Sequence, residues 1–200
     1  MKPRRIGVFG GAFDPPHQAH LALLRVAVEQ LALDEVRVLP TGQAWHKSRP
    51  LSPAFHRQAM VELAFSSEPK FVLDKREILR SGPSYTVDTL REIQAELPGA
   101  ELFLVIGADQ ARALSSWHEG GLLPQLAIIC VAEREDLTGY TLPFCPPKEL
   151  QSRFRQLKMS ALPISATEIR LRRAAHQGIV PLVSESVAKY IDHHHLYQTI

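Results

Sequence analysis

RIGVFGGAFDPPHQAH, residues 5–20, decides how the rest of the chain is read. The apolar run at 6–9 has the length and composition of a buried strand. It breaks at Gly10-Gly11, where the backbone can take φ > 0 or let a ligand come close. Asp14-Pro15-Pro16 then signals a turn and a helix start. Leu21, Leu24, Val28 and Leu31 follow at helical spacing. The opening unit is therefore strand, glycine loop, helix, with His17 and His20 in the first helical turn. Such a helix start offers unpaired N–H groups and the positive end of the helix dipole, both favourable to an anion. Two imidazoles three residues apart lie on neighbouring faces of that turn. Together they suit a chain of phosphates.

Other phosphate motifs fit less well. A Walker loop needs Lys-Ser or Lys-Thr after its second glycine, and none is present. The dinucleotide G-x-G-x-x-G pattern fails because the glycines stand at 7, 10 and 11. A helical zinc pair is better served by i, i+4 spacing with a third ligand elsewhere. Taken alone, two histidines read more simply as surface or capping residues.

Composition narrows the field. The chain has 200 residues, 45% of them hydrophobic, enough for one sizeable core, and residues 1–200 are read as one domain. A net charge of +2, from 23 basic and 21 acidic side chains, gives no electrostatic footprint for duplex nucleic acid or an anionic membrane. No run of 18 apolar residues or charged-then-apolar leader is present, which points away from membrane and secretion. Cys130 and Cys145 are the only cysteines and form no C-x-x-C, which fits a reducing cytoplasm.

Along the chain, residues 35–39 read as a second strand, and strand alternating with helix this early predicts parallel βαβ units. Ligands of such sheets gather at the carboxyl ends of the strands. The loop 40–53 is long and carries Trp45, His46, Lys47 and Arg49; it is either functional or a solvated basic loop. Ser52-Pro53 opens a helix to about 65, with Phe55, Ala59, Met60, Leu63 and Ala64 as its apolar positions. Residues 71–74 form a short strand and 75–80 a solvated charged edge. A third amphipathic helix carries Val87, Leu90, Ile93 and Leu97, with Ser84 or Thr86 as its cap.

Residues 101–106 are the most strand-like run and end at Gly107-Ala108-Asp109. Asp109 is placed either for a ribose hydroxyl or metal, or as a helix cap, and Trp117 for core packing. A strand at 126–132 leads to Arg134, which points to a nucleotide or pairs with a neighbouring glutamate. A loop at 135–148, a short helix at 149–154 and a last strand at 157–162 follow. Ile164-Ser165-Ala166-Thr167-Glu168-Ile169-Arg170 is a second capped helix start, with Glu168 and Arg172 as an i, i+4 pair and Arg172 and Arg173 exposed. Val187, Tyr190 and Ile191 mark a final helix. His193, His194 and His195 splay by 100° per residue, so they are structural rather than a metal site.

Two of these stretches resemble a known family. The opening run is similar to the H-x-G-H signature of the nucleotidyltransferase superfamily, with Ala19 where glycine is usual. Residues 164–170 resemble its I-S-x-T-x-I-R signature. With the Ser84-Tyr85-Thr86 and Asp109…Trp117 stretches, the chain from about 5 to 197 resembles the bacterial nicotinate-mononucleotide adenylyltransferases. That resemblance implies a Rossmann-like α/β fold, a mostly parallel sheet with helices on both faces. It implies AMP transfer from ATP to nicotinate mononucleotide, with Mg²⁺ accompanying ATP and no metal ligand from protein side chains. It implies catalytic roles for His17, His20 and Arg170. ATP contacts fall to Gly10, Gly11, Phe13, Asp109, Ile164, Ser165, Thr167 and Arg170, and pyridine-side contacts to Lys47, Tyr85, Thr86, Trp117 and His118. A cytoplasmic monomer or small homo-oligomer, with no nucleic-acid or membrane partner, completes the expectation. The rivals are another superfamily enzyme acting on nicotinamide mononucleotide, phosphopantetheine or a cytidylyl acceptor, a silent nucleotide-binding module, and an RNA-binding domain.

Overall fold

The opening run is a strand at the middle of a sheet. The computed structural model describes residues 2–43, 50–133, 144–160 and 162–198. In it β1 (Arg5–Gly11) turns into α1 (Gln18–Gln30), followed by β2 (Glu35–Pro40), α2 (Ala54–Phe65) and β3 (Phe71–Leu73). Next come α3 (Arg76–Leu79), α4 (Thr86–Glu96), β4 (Glu101–Gly107), α5 (Ala108–Arg112), α6 (Leu123–Leu126) and β5 (Ile128–Glu133). The described chain closes with β6 (Phe154–Lys158), α7 (Ala166–Ala174) and α8 (Glu185–His193). The six strands pair in parallel throughout, in the order β3-β2-β1-β4-β5-β6. This is the expected doubly wound α/β architecture, and the sheet is wholly parallel among the described strands. The order reverses between β1 and β4, the place where such sheets bind ligands beyond the carboxyl ends of their strands.

Strand alternation divides the core into two faces. Phe9, Phe103, Val105 and Cys130 pack with Leu23, Leu24 and Ala27 of α1 and Val61 and Phe65 of α2. Ile6, Val8, Leu102, Leu104 and Ile106 point the other way, onto Val87, Leu90 and Ile93 of α4. A third cluster joins Met60 of α2 to Ile169 of α7 and to Val187 and Ile191 of α8. Through it the carboxyl-terminal helices dock beside the start of α1, where the Gln18 N–H donates to the Leu182 carbonyl at 2.9 Å. Among the described residues no helix is long and apolar enough to cross a membrane.

Several local expectations need correction. The helix expected at 149–154 is a 3₁₀ segment, Lys148–Arg153, and the last strand begins at Phe154 instead of 157. Phe154 and Leu157 are both buried, so the sheet claims residues whose spacing also suited a helix. Similarly, Leu126 ends the short helix α6, and the next strand starts at Ile128. On α2 the inward face is Arg57, Met60, Val61 and Phe65. Phe55, counted as apolar face, is 63% exposed, because the buried arginine moves the stripe round the helix. Arg173 is not exposed: its Nη2 pairs with Asp192 Oδ1 at 2.6 Å and its side chain is 15% accessible.

The stretch 75–80 is not a solvated edge. Arg76 bonds Asp74 Oδ2 and Glu96 Oε2 at 2.7 Å each, and Arg80 bonds Glu92 at 2.8 Å. Glu77 is buried, and Thr89 Oγ1 donates to its Oε1 at 2.9 Å. Ser84, expected as a cap of α4, instead accepts from the Gly42 N–H and donates to the Glu77 carbonyl, both at 3.3 Å. Gly42 is required here, since a β-carbon would come within 2.1 Å of the Glu77 carbonyl oxygen.

Burial pushes the Glu77 carboxyl above its ordinary range, with Asp74 adding to the rise and Thr89, Thr41 and Arg80 opposing it. A carboxyl raised in the folded state contributes stability at pH values below its unfolded titration and loses it as pH climbs through the raised value. Glu77→Gln keeps an acceptor for Thr89 without the buried charge. Its urea midpoint is therefore expected to gain on that of the unsubstituted protein between pH 4.5 and pH 8. A difference that stays flat over that range would show that Glu77 titrates normally.

Candidate active site

The turn after β1 is shaped by close packing. Gly11 lets the Phe13 ring lie against the backbone; a β-carbon there would meet the ring at 3.2 Å. That ring is buried in edge contacts with Phe9, His20 and Phe65, centroids 5.6, 5.2 and 6.4 Å apart. Asp14, also buried, accepts from the Tyr197 hydroxyl at 2.6 Å and from the Ser52 N–H at 3.2 Å. Burial and the adjacent Asp14 charge hold the Tyr197 phenol far above its ordinary pKa. The last turn of the described chain is thus tied to the first loop.

α1 begins with His17 at its N-cap, one position earlier than a first-turn residue. The His17 N–H donates to His20 Nδ1 at 3.2 Å. That bond leaves the neutral His20 ring with its proton on Nε2. The two imidazoles stack with centroids 3.7 Å apart. Ala19, where the family's glycine would stand, is buried and is not among the cleft-lining residues.

α7 is capped by Ser165, whose Oγ accepts from the Glu168 N–H at 3.1 Å. Arg170 is held on two sides: Nη1 donates to the Asp14 carbonyl at 2.9 Å and Nη2 to Thr167 Oγ1 at 3.0 Å. Glu168 and Arg172 form the expected i, i+4 pair at 2.7 Å.

These parts meet. Ala12, Phe13, Asp14, His17, His20, Leu51, Ala166, Thr167 and Arg170 line one cleft of about 230 Å³. Two helix starts, one from each end of the chain, therefore face a single space. With two imidazoles and an oriented guanidinium around it, the cleft presents donors and positive charge to a polyanion.

Other expected residues lie elsewhere. Gly10 and Gly11 end β1, and the Gly11 carbonyl accepts from the Thr41 N–H at 2.9 Å. Ile164 packs against the third core cluster. Asp109 is neither a cap nor a cleft residue; Gly107 holds the N-cap position of α5, and the Asp109 carboxylate pairs with Arg112 at 2.8 Å while 96% exposed. A second cluster forms at the start of α4, where Thr86 is the first helical residue and Tyr85 holds an N-cap without a side-chain capping bond. The Tyr85 and His118 rings stack at 4.0 Å, and Trp117 is partly buried against the same core face. A Gln43–Pro83 bridge links this start to the end of β2. Lys47 and Arg134 lie outside the described residues. Among those described, no group of three or more His, Cys, Asp or Glu side chains is placed to hold a metal ion.

Sequence reasoning passed over Arg57, Asp14 and Tyr197 as site residues. Arg57 left a usable signal: it stands at i, i+3, i+4 and i+8 spacing with Met60, Val61 and Phe65, on an apolar stripe. Asp14 looked like an ordinary turn residue, and nothing local ties Tyr197 to it.

Residues 8–172 match the cytidylyltransferase-like family. A probable nicotinate-nucleotide adenylyltransferase of Albidiferax ferrireducens is 60% identical over 98% of this chain and 99% of its own. One from Methylibium petroleiphilum is 46% identical over 97% and 92%. Among solved structures, the fold matches Plasmodium falciparum nicotinic acid mononucleotide adenylyltransferase complexed with NaAD, at a TM-score of 0.76 and 20% identity over 98% of both chains.

Proposed function

The chain belongs to the cytidylyltransferase-like family, alongside nicotinate-nucleotide adenylyltransferases, and from that premise we propose that it transfers AMP from ATP to nicotinate mononucleotide. The products are nicotinate adenine dinucleotide and pyrophosphate. The observation that carries this reading is the single cleft shared by His17, His20, Thr167 and Arg170.

In the reaction, a phosphate oxygen of the mononucleotide attacks the α-phosphorus of ATP. The bond from that phosphorus to the bridging oxygen of the β-phosphate breaks, and pyrophosphate leaves. A phosphate monoester is mostly dianionic at pH 7, so no protein base or nucleophile is required. Catalysis rests on alignment and on charge stabilisation, as in other phosphoryl transfers. His20, whose Nδ1 accepts the His17 N–H, would donate from Nε2 to the phosphorus-bound oxygens as charge builds on them. Arg170 and the start of α7 receive the departing phosphates.

Mg²⁺ is proposed to arrive as the ATP complex. Such an ion keeps several waters and would be held by the substrate phosphates rather than by a cage of protein side chains; there it would neutralise phosphate charge. On the acceptor side, the start of α4 has backbone amides without a side-chain cap, which suits the nicotinate carboxylate. Tyr85, Trp117 and His118 would flank the ring, and Lys47 the acceptor phosphate. The whole chain, residues 1–200, acts in this reading as one cytoplasmic domain.

The test is a panel: ATP or CTP against nicotinate mononucleotide, nicotinamide mononucleotide and phosphopantetheine, with pyrophosphate and dinucleotide measured. ATP with nicotinate mononucleotide is expected to be best. The amide analogue loses a charge-assisted bond of about 1.5–3 kcal/mol, or about tenfold or more in kcat/KM. Pyrophosphate release with CTP alone, or with no acceptor of the panel, would sink the assignment.

A further inference from the structure

Arg57 is 2% exposed, and a guanidinium stays charged even where burial is costly. Its partners show what the burial accomplishes. Nε donates to the Ser52 carbonyl and Nη1 to the Ala12 carbonyl, both at 2.9 Å, and Nη2 reaches the Gly42 carbonyl at 3.5 Å. Those carbonyls belong to three separate segments: the turn after β1, the approach to α2 and the end of β2. Ala12 and Leu51, from the first two, line the cleft, whereas Arg57 is not among its lining residues.

The residue after Ala12 is strained. Phe13 has φ of +47°, a conformation that non-glycine residues rarely adopt and that persists only where surroundings over-determine it. Here the constraints are visible. The Phe13 ring is clamped among Phe9, His20 and Phe65, and the carbonyl just before it is pinned by Arg57. In a planar trans peptide the C=O and the following N–H point in opposite directions. An Ala12 carbonyl drawn inward therefore turns the Phe13 N–H outward, to the side where Ala12 and Phe13 line the cleft.

We infer that Arg57 is a positioning residue, whose buried fork aims the Phe13 amide at the oxygens of the bound triphosphate. The inference rests on the cleft being the triphosphate site. It gives a physical purpose to a buried cation and to an unfavourable backbone angle together.

The test uses ¹⁵N-labelled full-length protein titrated with sodium tripolyphosphate. The Phe13 amide resonance is expected to move downfield and saturate in step with the His20 ring signals. Arg57→Lys keeps the charge but replaces the fork by one compact head. It is expected to shrink the Phe13 response at least about twofold and to lower kcat by about 10-fold or more, since small misplacements near reacting groups are amplified in rate. KM for nicotinate mononucleotide is expected to stay within about twofold. An Arg57→Lys protein that only unfolds earlier in urea, with kcat and the Phe13 response unchanged, would overturn the role and leave Arg57 a core brace. If that variant does not fold, the unsubstituted protein decides. A silent Phe13 amide with moving His20 signals refutes the inference alone, and silence from both refutes the triphosphate cleft as well.

Discussion

Replacing His20 by alanine is expected to lower kcat by about 10²–10³-fold, the usual cost of removing one donor aimed at charge that develops in a transition state. The KM for ATP should change far less, because Arg170, Thr167 and the two helix starts still line the cleft in which the triphosphate is proposed to sit. His20 also accepts the His17 N–H at 3.2 Å. Its loss is therefore a lost cap of about 1 kcal/mol, or about 2–4 °C in a chain of this size. His20→Asn separates the two effects. It restores a short acceptor near the Nδ1 position, so the melting temperature should recover, but it cannot reach with a donor where Nε2 stood, so kcat should not. Equal recovery of both would reassign His20 to helix capping.

The second large effect is expected at Arg170. Its fork spends Nη1 on the Asp14 carbonyl and Nη2 on Thr167 Oγ1, and Arg170 is one of the residues lining the cleft. Arg170→Lys retains the charge and loses that division of labour, because an ammonium cannot hold both anchors and present a flat edge to phosphate oxygens. One charge-assisted bond is worth about 1.5–3 kcal/mol, so kcat/KM should fall by about 10- to 150-fold. The loss should be similar with either mononucleotide as acceptor, since Arg170 and the Tyr85–His118 pair belong to different clusters. A loss confined to one acceptor would move Arg170 to the pyridine side.

Both substitutions probe one geometric fact, the meeting of two distant helix starts. Each start was legible by itself: an Asp-Pro turn with helical spacing after Leu21, and a serine before Ala166 with its acceptor role to Glu168. Parallel βαβ units were legible as well, because strand and helix alternate from residue 6 onward, and the runs at 6–9 and 102–106 are continuously apolar, as strands buried on both faces are. Boundaries shifted where the sheet and local spacing competed, as at Phe154, and where a charged residue occupied a core position, as at Arg57.

The residues alone determined the fold class and the two helix starts with their capping positions, because those signals are local in sequence; the phosphate-binding roles proposed for His17, His20, Thr167 and Arg170 came from the resemblance of those stretches to a known family. Tertiary structure decided that His20 and Arg170 share one cleft, that Tyr197 returns to Asp14, and that Arg57 ties three loops together through their carbonyls. Each of those joins partners separated by tens of residues or more. No periodicity or motif encodes such a pairing, and it arises only when the two faces of the sheet and the α2–α7–α8 cluster are buried at the same time.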